Sequence, residues 1–206
     1  MRHPTGALGP TDRHGSDHIA VFCGAQPGTH PGWLSYAEGF GTAMAEHGVG
    51  LVYGAGGVGI MGAVADGVLN RGGDVIGVLP LHLHERERGD CARGRIFVVR
   101  SMHERKALMY RLSSGFAVLP GGIGTMDELM EVITWNQLGI HDKPVVLINH
   151  RRFFDPLLGL LDHLVAEGFL TELERGLVGV VDNAEEAFEE LTRRTAPVLA
   201  DVTGAS

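Results

Sequence analysis

Two carboxylates, Glu128 and Glu131, follow a glycine-rich turn in the stretch PGGIGTMDELME, residues 120–131, and share one helix face at i, i+3 spacing. A helix rises about 1.5 Å per residue, so Glu128 falls roughly 5 Å along the axis from Thr125, its side chain leaning back toward the turn. That is the scale of a ribose ring. An anion held at the turn would therefore set a sugar against one or both carboxylates. Such groups stabilise positive charge developing at an anomeric carbon and orient or deprotonate water, as glycosidic cleavage requires. The turn suits an anion, because glycines let backbone amides approach it and a helix amino terminus favours negative charge. It lacks the lysine of a nucleoside-triphosphate loop, and no Mg²⁺-binding set is evident, so a single phosphate fits better than three. A ligand-free alternative stands beside this one: Thr125-Met126-Asp127-Glu128 also reads as a T-x-x-E capping box.

A second polar cluster, Ser101-Met102-His103-Glu104-Arg105-Lys106, again follows an apolar run. Ser101 to Glu104 reads as a capping box, and the bland reading of Arg105 and Lys106 is an exposed helix face. Because the helix begins at a ligand-bearing edge, a cation there could instead meet phosphate or a leaving base. A third candidate, GAGGVG at 54–59, fits the dinucleotide pattern G-x-G-x-x-G, with Asp74 twenty positions after its first glycine. Asp74 precedes the run VIGVLP, however, and so falls at that strand's amino end, whereas a ribose-binding acid belongs at the carboxyl end. The dinucleotide reading weakens accordingly.

The elements that must position these groups alternate along the chain. Short apolar runs (IAVFCGA, GLVYGA, DVIGVLP, RIFVVR, GFAVLP, KPVVLINH, GLVGVV) are interleaved with helical patterns such as WLSYAEGFGTAMAEH, MHERKALMYRLSS and FFDPLLGLLDHLVAEGF. This predicts an α/β fold, a Rossmann-like doubly wound parallel sheet of about seven strands, with ligands at the strands' carboxyl ends. One domain over residues 18–195 is expected, between a disordered tail at 1–17 and a flexible one at 196–206. A length of 206 residues with 44% hydrophobic content suffices for one core. A net charge of −8 gives no basic footprint for a nucleic-acid polymer or an anionic membrane, so phosphate must be held locally. Two cysteines make no disulfide scaffold, and no long apolar segment appears; a cytoplasmic protein is expected.

Taken together, these motifs resemble the Lonely Guy family of cytokinin riboside 5′-monophosphate phosphoribohydrolases, many bacterial relatives of which carry a lysine-decarboxylase label. The family's P-G-G-x-G-T-x-x-E motif is complete at Pro120 to Glu128, and its M-H-x-R-K element is Met102 to Lys106. The similarity runs over about residues 19 to 194, including VFCG, YGAGGVGIMG and ITWNQLGIHDKP. It implies hydrolysis of a nucleoside 5′-monophosphate to free base and ribose 5-phosphate, without metal or cofactor, by a homodimer or a hexamer. Arg105 and Glu128 match the catalytic pair. The resemblance further implies phosphate contacts from Gly121, Gly122, Ile123, Gly124 and Thr125, continuing into Met126 and Asp127. Lys106, Glu131, Thr134 and Glu87 match further substrate positions, with Glu85 competing for the role of Glu87. Two departures bear on substrate preference: Ala55 replaces the middle glycine of a usual Tyr-Gly-Gly-Gly, and Ala25-Gln26 replaces a common Ser-Ser.

Two other classes compete. A pyridoxal-phosphate decarboxylase needs a Schiff-base lysine, for which only Lys106 and Lys143 are present. A nucleotide-binding module without catalysis would keep the phosphate turn but would not need Glu128 together with Arg105. Cys23 reads as a core residue, His82 and His84 as solvated or lid residues, and Trp135 as core or as a wall of the base pocket.

Overall fold

The computed structural model describes residues 18–86 and 92–193. Seven strands, β1 (His18–Phe22), β2 (Gly50–Tyr53), β3 (Val75–Pro80), β4 (Arg95–Val99), β5 (Gly115–Val118), β6 (Val145–Ile148) and β7 (Val178–Val181), form one sheet in the order β4-β3-β2-β1-β5-β6-β7. Every adjacent pair is parallel. The intervening helices are α1 (Gly32–Glu46), α2 (Gly59–Leu69), α3 (Leu81–Arg86), α4 (Met102–Leu112), α5 (Ile123–Gln137), α6 (Asp155–Ala166), α7 (Glu172–Arg175) and α8 (Ala184–Arg193), with a 3-10 turn at His150–Arg152.

Strand residues alternate between two cores, as a period of two requires when both faces are covered. Ile19 and Val21 of β1 and Ala117 of β5 join Phe40, Met44, Val64 and Phe188 on one face. Ala20, Phe22, Phe116 and Val118 join Met109, Leu129 and Val132 on the other. Burial on both faces explains why the sequence shows these strands as continuous apolar runs rather than alternating ones. Strand order reverses around β1, which lies between β2 and β5. The loops leaving β1 and β5 therefore diverge to opposite sides and open a crevice.

At the other edge of the sheet, His18 Nε2 lies 2.9 Å and Arg95 Nη2 lies 2.6 Å from Asp74 Oδ2. These contacts join the amino ends of β1, β3 and β4. Asp74 thus belongs to the edge that its sequence position implied, remote from the crevice. The tails at 1–17 and 196–206 lie outside the described residues.

Candidate active site

The crevice is a cavity of about 410 Å³, walled by the loop after β1 (Cys23 to Gly28), Trp33, Ile60 and Met61, Met102 and Arg105, the turn after β5, and Phe153. Its size falls in the range of small-ligand sites. The turn is built by contact between two loops. Gly24 N–H donates to Pro120 O at 3.0 Å, and a Cβ on Gly121 would lie 2.7 Å from Gly24 N and 2.0 Å from Thr125 Oγ1. No side chain fits there. Beside Gly122 and Gly124 the space is open, with nothing within 4 Å of an added Cβ.

Helix α5 begins at Ile123 with Gly122, in extended conformation, as its N-cap. Thr125 is therefore inside the first turn, and the capping box expected from Thr125 to Glu128 does not form. Met126 N–H closes the first helical bond on Gly122 O at 3.1 Å. The amides before it are those a helix leaves for an external acceptor. The Ser101 cap of α4 does form, accepting from Glu104 N–H at 3.1 Å, while the Glu104 carboxylate accepts from Arg100 N–H at 2.8 Å.

Arg105 on α4 and Glu128 on α5 meet at the cavity floor. Arg105 Nη1 donates to Glu128 Oε1 at 2.9 Å and Nε to Val78 O at 3.3 Å; the two residues are 8% and 6% exposed. Gly54 makes room for the guanidinium, since a Cβ there would sit 2.0 Å from Nη2. Of the glycines of GAGGVG, Gly54 admits the arginine, while Gly56 lies against the Met61 sulfur and Gly59 against the backbone of Ala25 and Gln26. Burial pushes the Glu128 carboxyl above its ordinary value, opposed by the nearby charges of Arg105 and Lys106.

The sequence-derived candidates divide. Arg105, Gly121, Gly122, Gly124, Thr125, Asp127 and Glu128 line the cavity. Lys106, Ile123, Met126, Glu131 and Thr134 do not. Lys106 Nζ is 2.7 Å from both Asp127 Oδ2 and Glu131 Oε2, and Glu131 also accepts from Tyr110 Oη at 3.1 Å. Ile123 points outward and is 86% exposed, whereas Met126 packs against the core. Thr134 turns its hydroxyl back on Met130 O at 2.7 Å. Glu87 lies outside the described residues.

Trp33, Met61 and Phe153 were not among the candidates. Their signal was positional, since each follows a strand's carboxyl end. Trp135 meets Tyr110 edge to face at a centroid distance of 4.4 Å and packs against the core, away from the cavity, so its core reading stands. Cys23 is buried, and burial followed by the Glu128 charge raises its thiol pKa, which keeps it protonated and unreactive. Lys143, at the amino end of β6, donates to Tyr110 O and Ser113 O and so satisfies the last carbonyls of α4. With both candidate lysines committed to structural bonds, no lysine is free in the cavity to form a Schiff base.

A parallel sheet with a glycine turn at its switch point and a buried arginine–glutamate pair below it defines a Rossmann-like α/β protein with its cavity at the strands' carboxyl edge. Residues 61–191 match the family model described as "Possible lysine decarboxylase". The chain is 43% identical over 170 residues to the cytokinin riboside 5′-monophosphate phosphoribohydrolase of Rhodococcoides fascians, covering 82% of this chain and 86% of that one. It is 42% identical over 173 residues to the enzyme of the same name from Arabidopsis thaliana, covering 84% and 81%. The chain belongs to this family, the Lonely Guy family. Among solved structures, the molybdenum cofactor carrier protein of Chlamydomonas reinhardtii matches with a TM-score of 0.64 at 22% identity, over 88% of this chain and 98% of that one; this likeness is one of fold.

Proposed function

We propose that this protein hydrolyses the N-glycosidic bond of cytokinin riboside 5′-monophosphates, with AMP within its range, releasing free base and ribose 5-phosphate. The observation that carries this reading is the Arg105–Glu128 pair, 2.9 Å apart and buried on the floor of the cavity that also holds the glycine turn. The 5′-phosphate accepts from the amides of Gly122 to Thr125 at the start of α5. The sugar then lies over Glu128, whose carboxylate stabilises the oxocarbenium-like transition state or takes a proton from the attacking water. Arg105 holds that carboxylate in place and offers positive charge to the phosphate or the departing base. Trp33, Met61 and Phe153 supply apolar wall.

The support is geometric, together with relatives whose names state this activity over most of both chains. Incubation with AMP and with isopentenyladenosine monophosphate, followed by chromatography of the free base, tests the reading; absence of base release from every monophosphate would overturn it. We also infer a homodimer, with a hexamer as the larger alternative, in the cytoplasm. Leu138, Ile140, Phe169 and Leu173 expose apolar surface around a Gln137–Glu174 hydrogen bond of 2.6 Å, as a self-association face would. Among the described residues, no helix is long and apolar enough to cross a membrane. Light scattering across a concentration series tests the dimer.

A further inference from the structure

Five charges meet where α4 crosses α5. Arg105 pairs with Glu128, and the next residue, Lys106, bridges Asp127 and Glu131 at 2.7 Å each, with only 14% of its side chain exposed. These contacts form two adjacent rungs between the same two helices. The groups facing Glu128 are Arg105, Lys106 and Tyr110 from α4, Asp127 from its own helix, and Cys23 from the end of β1. Glu131 completes the set through Lys106 and through the Tyr110 hydroxyl. With Lys106 present the cluster carries one excess negative charge; without it, two, all beside a buried carboxyl.

We propose that Lys106 is a positioning residue for Glu128, locking α5 against α4 through Asp127 and Glu131 and cancelling their charge so that Glu128 ionises in the working pH range. This rests on the reading of Glu128 as the group that acts on the sugar. Lys106 does not itself line the cavity, so its effect passes through Asp127, which does, and through Glu131. Burial alone would lower the Lys106 ammonium pKa, but its hydrogen bonds to Asp127 and Glu131 outweigh that and raise it, so the bridge stays charged at neutral pH. Like charges disfavour ionisation of a carboxyl, and opposite charges favour it.

The test is the pH profile of kcat/KM for base release by Lys106→Met, alone and combined with Asp127→Asn. The acid limb should move up by about one pH unit in the single variant. It should return at least halfway in the double variant, while Lys106→Arg keeps the parental limb. Thermal melts identify any variant that has unfolded. An unmoved limb in a folded Lys106→Met protein overturns the proposal, as does a raised KM with the profile unchanged, which would make Lys106 a substrate ligand. Infrared difference spectra of the Glu128 carboxyl, assigned with Glu128→Gln, follow the same ionisation without turnover. They show whether Lys106 tunes Glu128 even if no base is released and the enzymatic reading has failed.

Discussion

Glu128 is a carboxyl whose ionisation burial opposes and Arg105 favours, burial being the larger influence, and the two have separable signatures. Glu128→Gln keeps the shape and removes the charge. Turnover should fall by at least about 100-fold while monophosphate binding, measured by calorimetry, persists. Full activity in that variant would refute the role. The sign of the pH effect on stability follows from the direction of the shift. Because the folded carboxyl holds its proton to higher pH than the unfolded one, its contribution is intact below the unfolded value of about 4.3 and is lost as pH rises through the folded value. The melting temperature of Glu128→Gln should therefore gain on the parent as pH rises from 4 toward neutrality. Arg105→Ala does the reverse damage, leaving a buried carboxylate without its cation, and should cost about 3–5 kcal/mol in chemical denaturation. That Arg105 and Glu128 would come to the strands' carboxyl edge was legible from their motifs. Their direct contact was not, because nothing local tells which face of α4 meets which face of α5.

Helix α5 shows what periodicity reads well and what it misses. Its apolar spacing was plain, and Leu129 and Val132 do face the core. The ligand-free alternative, a capping box at Thr125-x-x-Glu128, does not form, because the chain turns helical at Ile123, after an extended Gly122. The Thr125 hydroxyl faces Gly121 instead. Gly121→Ala would force a methyl to within 2.0 Å of that hydroxyl and 2.7 Å of Gly24 N, so the turn must open. Affinity for AMP should drop by about tenfold or more, equivalent to at least 1.4 kcal/mol. Gly124→Ala, inside α5 with open space around it, should hold or slightly raise the melting temperature. Differential scanning fluorimetry with and without AMP separates the two outcomes.

At the scale of the whole molecule, the sheet divides the labour between its two edges. Chemistry gathers at the carboxyl edge, while the amino edge carries the His18–Asp74–Arg95 contacts. His18 and Arg95 outweigh partial burial and hold the Asp74 carboxyl below its ordinary value, so its stabilising effect is present at neutral pH and fades as acid protonates it. Asp74→Asn should lower the melting temperature at pH 7, with the deficit shrinking toward pH 3, and leave kcat for base release untouched. Strand number, parallel pairing and the two-faced core were all legible, because alternating apolar runs and helical patterns admit few other topologies. Trp33 and Phe153 escaped notice because they are far apart in sequence and meet only when α1 and the segment after β6 close over the same edge, 5.9 Å ring to ring. Ala55 shows another limit. It holds a left-handed φ of 62° while buried, so a position where relatives in the resemblance carry glycine keeps the glycine backbone with a methyl added.

The contact between Gly24 and Gly121 reaches beyond affinity. The two residues belong to different strands' loops, yet each crowds the space the other's side chain would need: a Cβ on Gly121 would come within 2.7 Å of Gly24 N, and one on Gly24 within 3.2 Å of Gly121 Cα. Neither can drift without the other's loop giving way, so the pair behaves as one heritable unit. A library randomised at both positions and selected for base release should return glycine at both, and descendants that lose one of them would be expected to lose the pocket rather than remodel it.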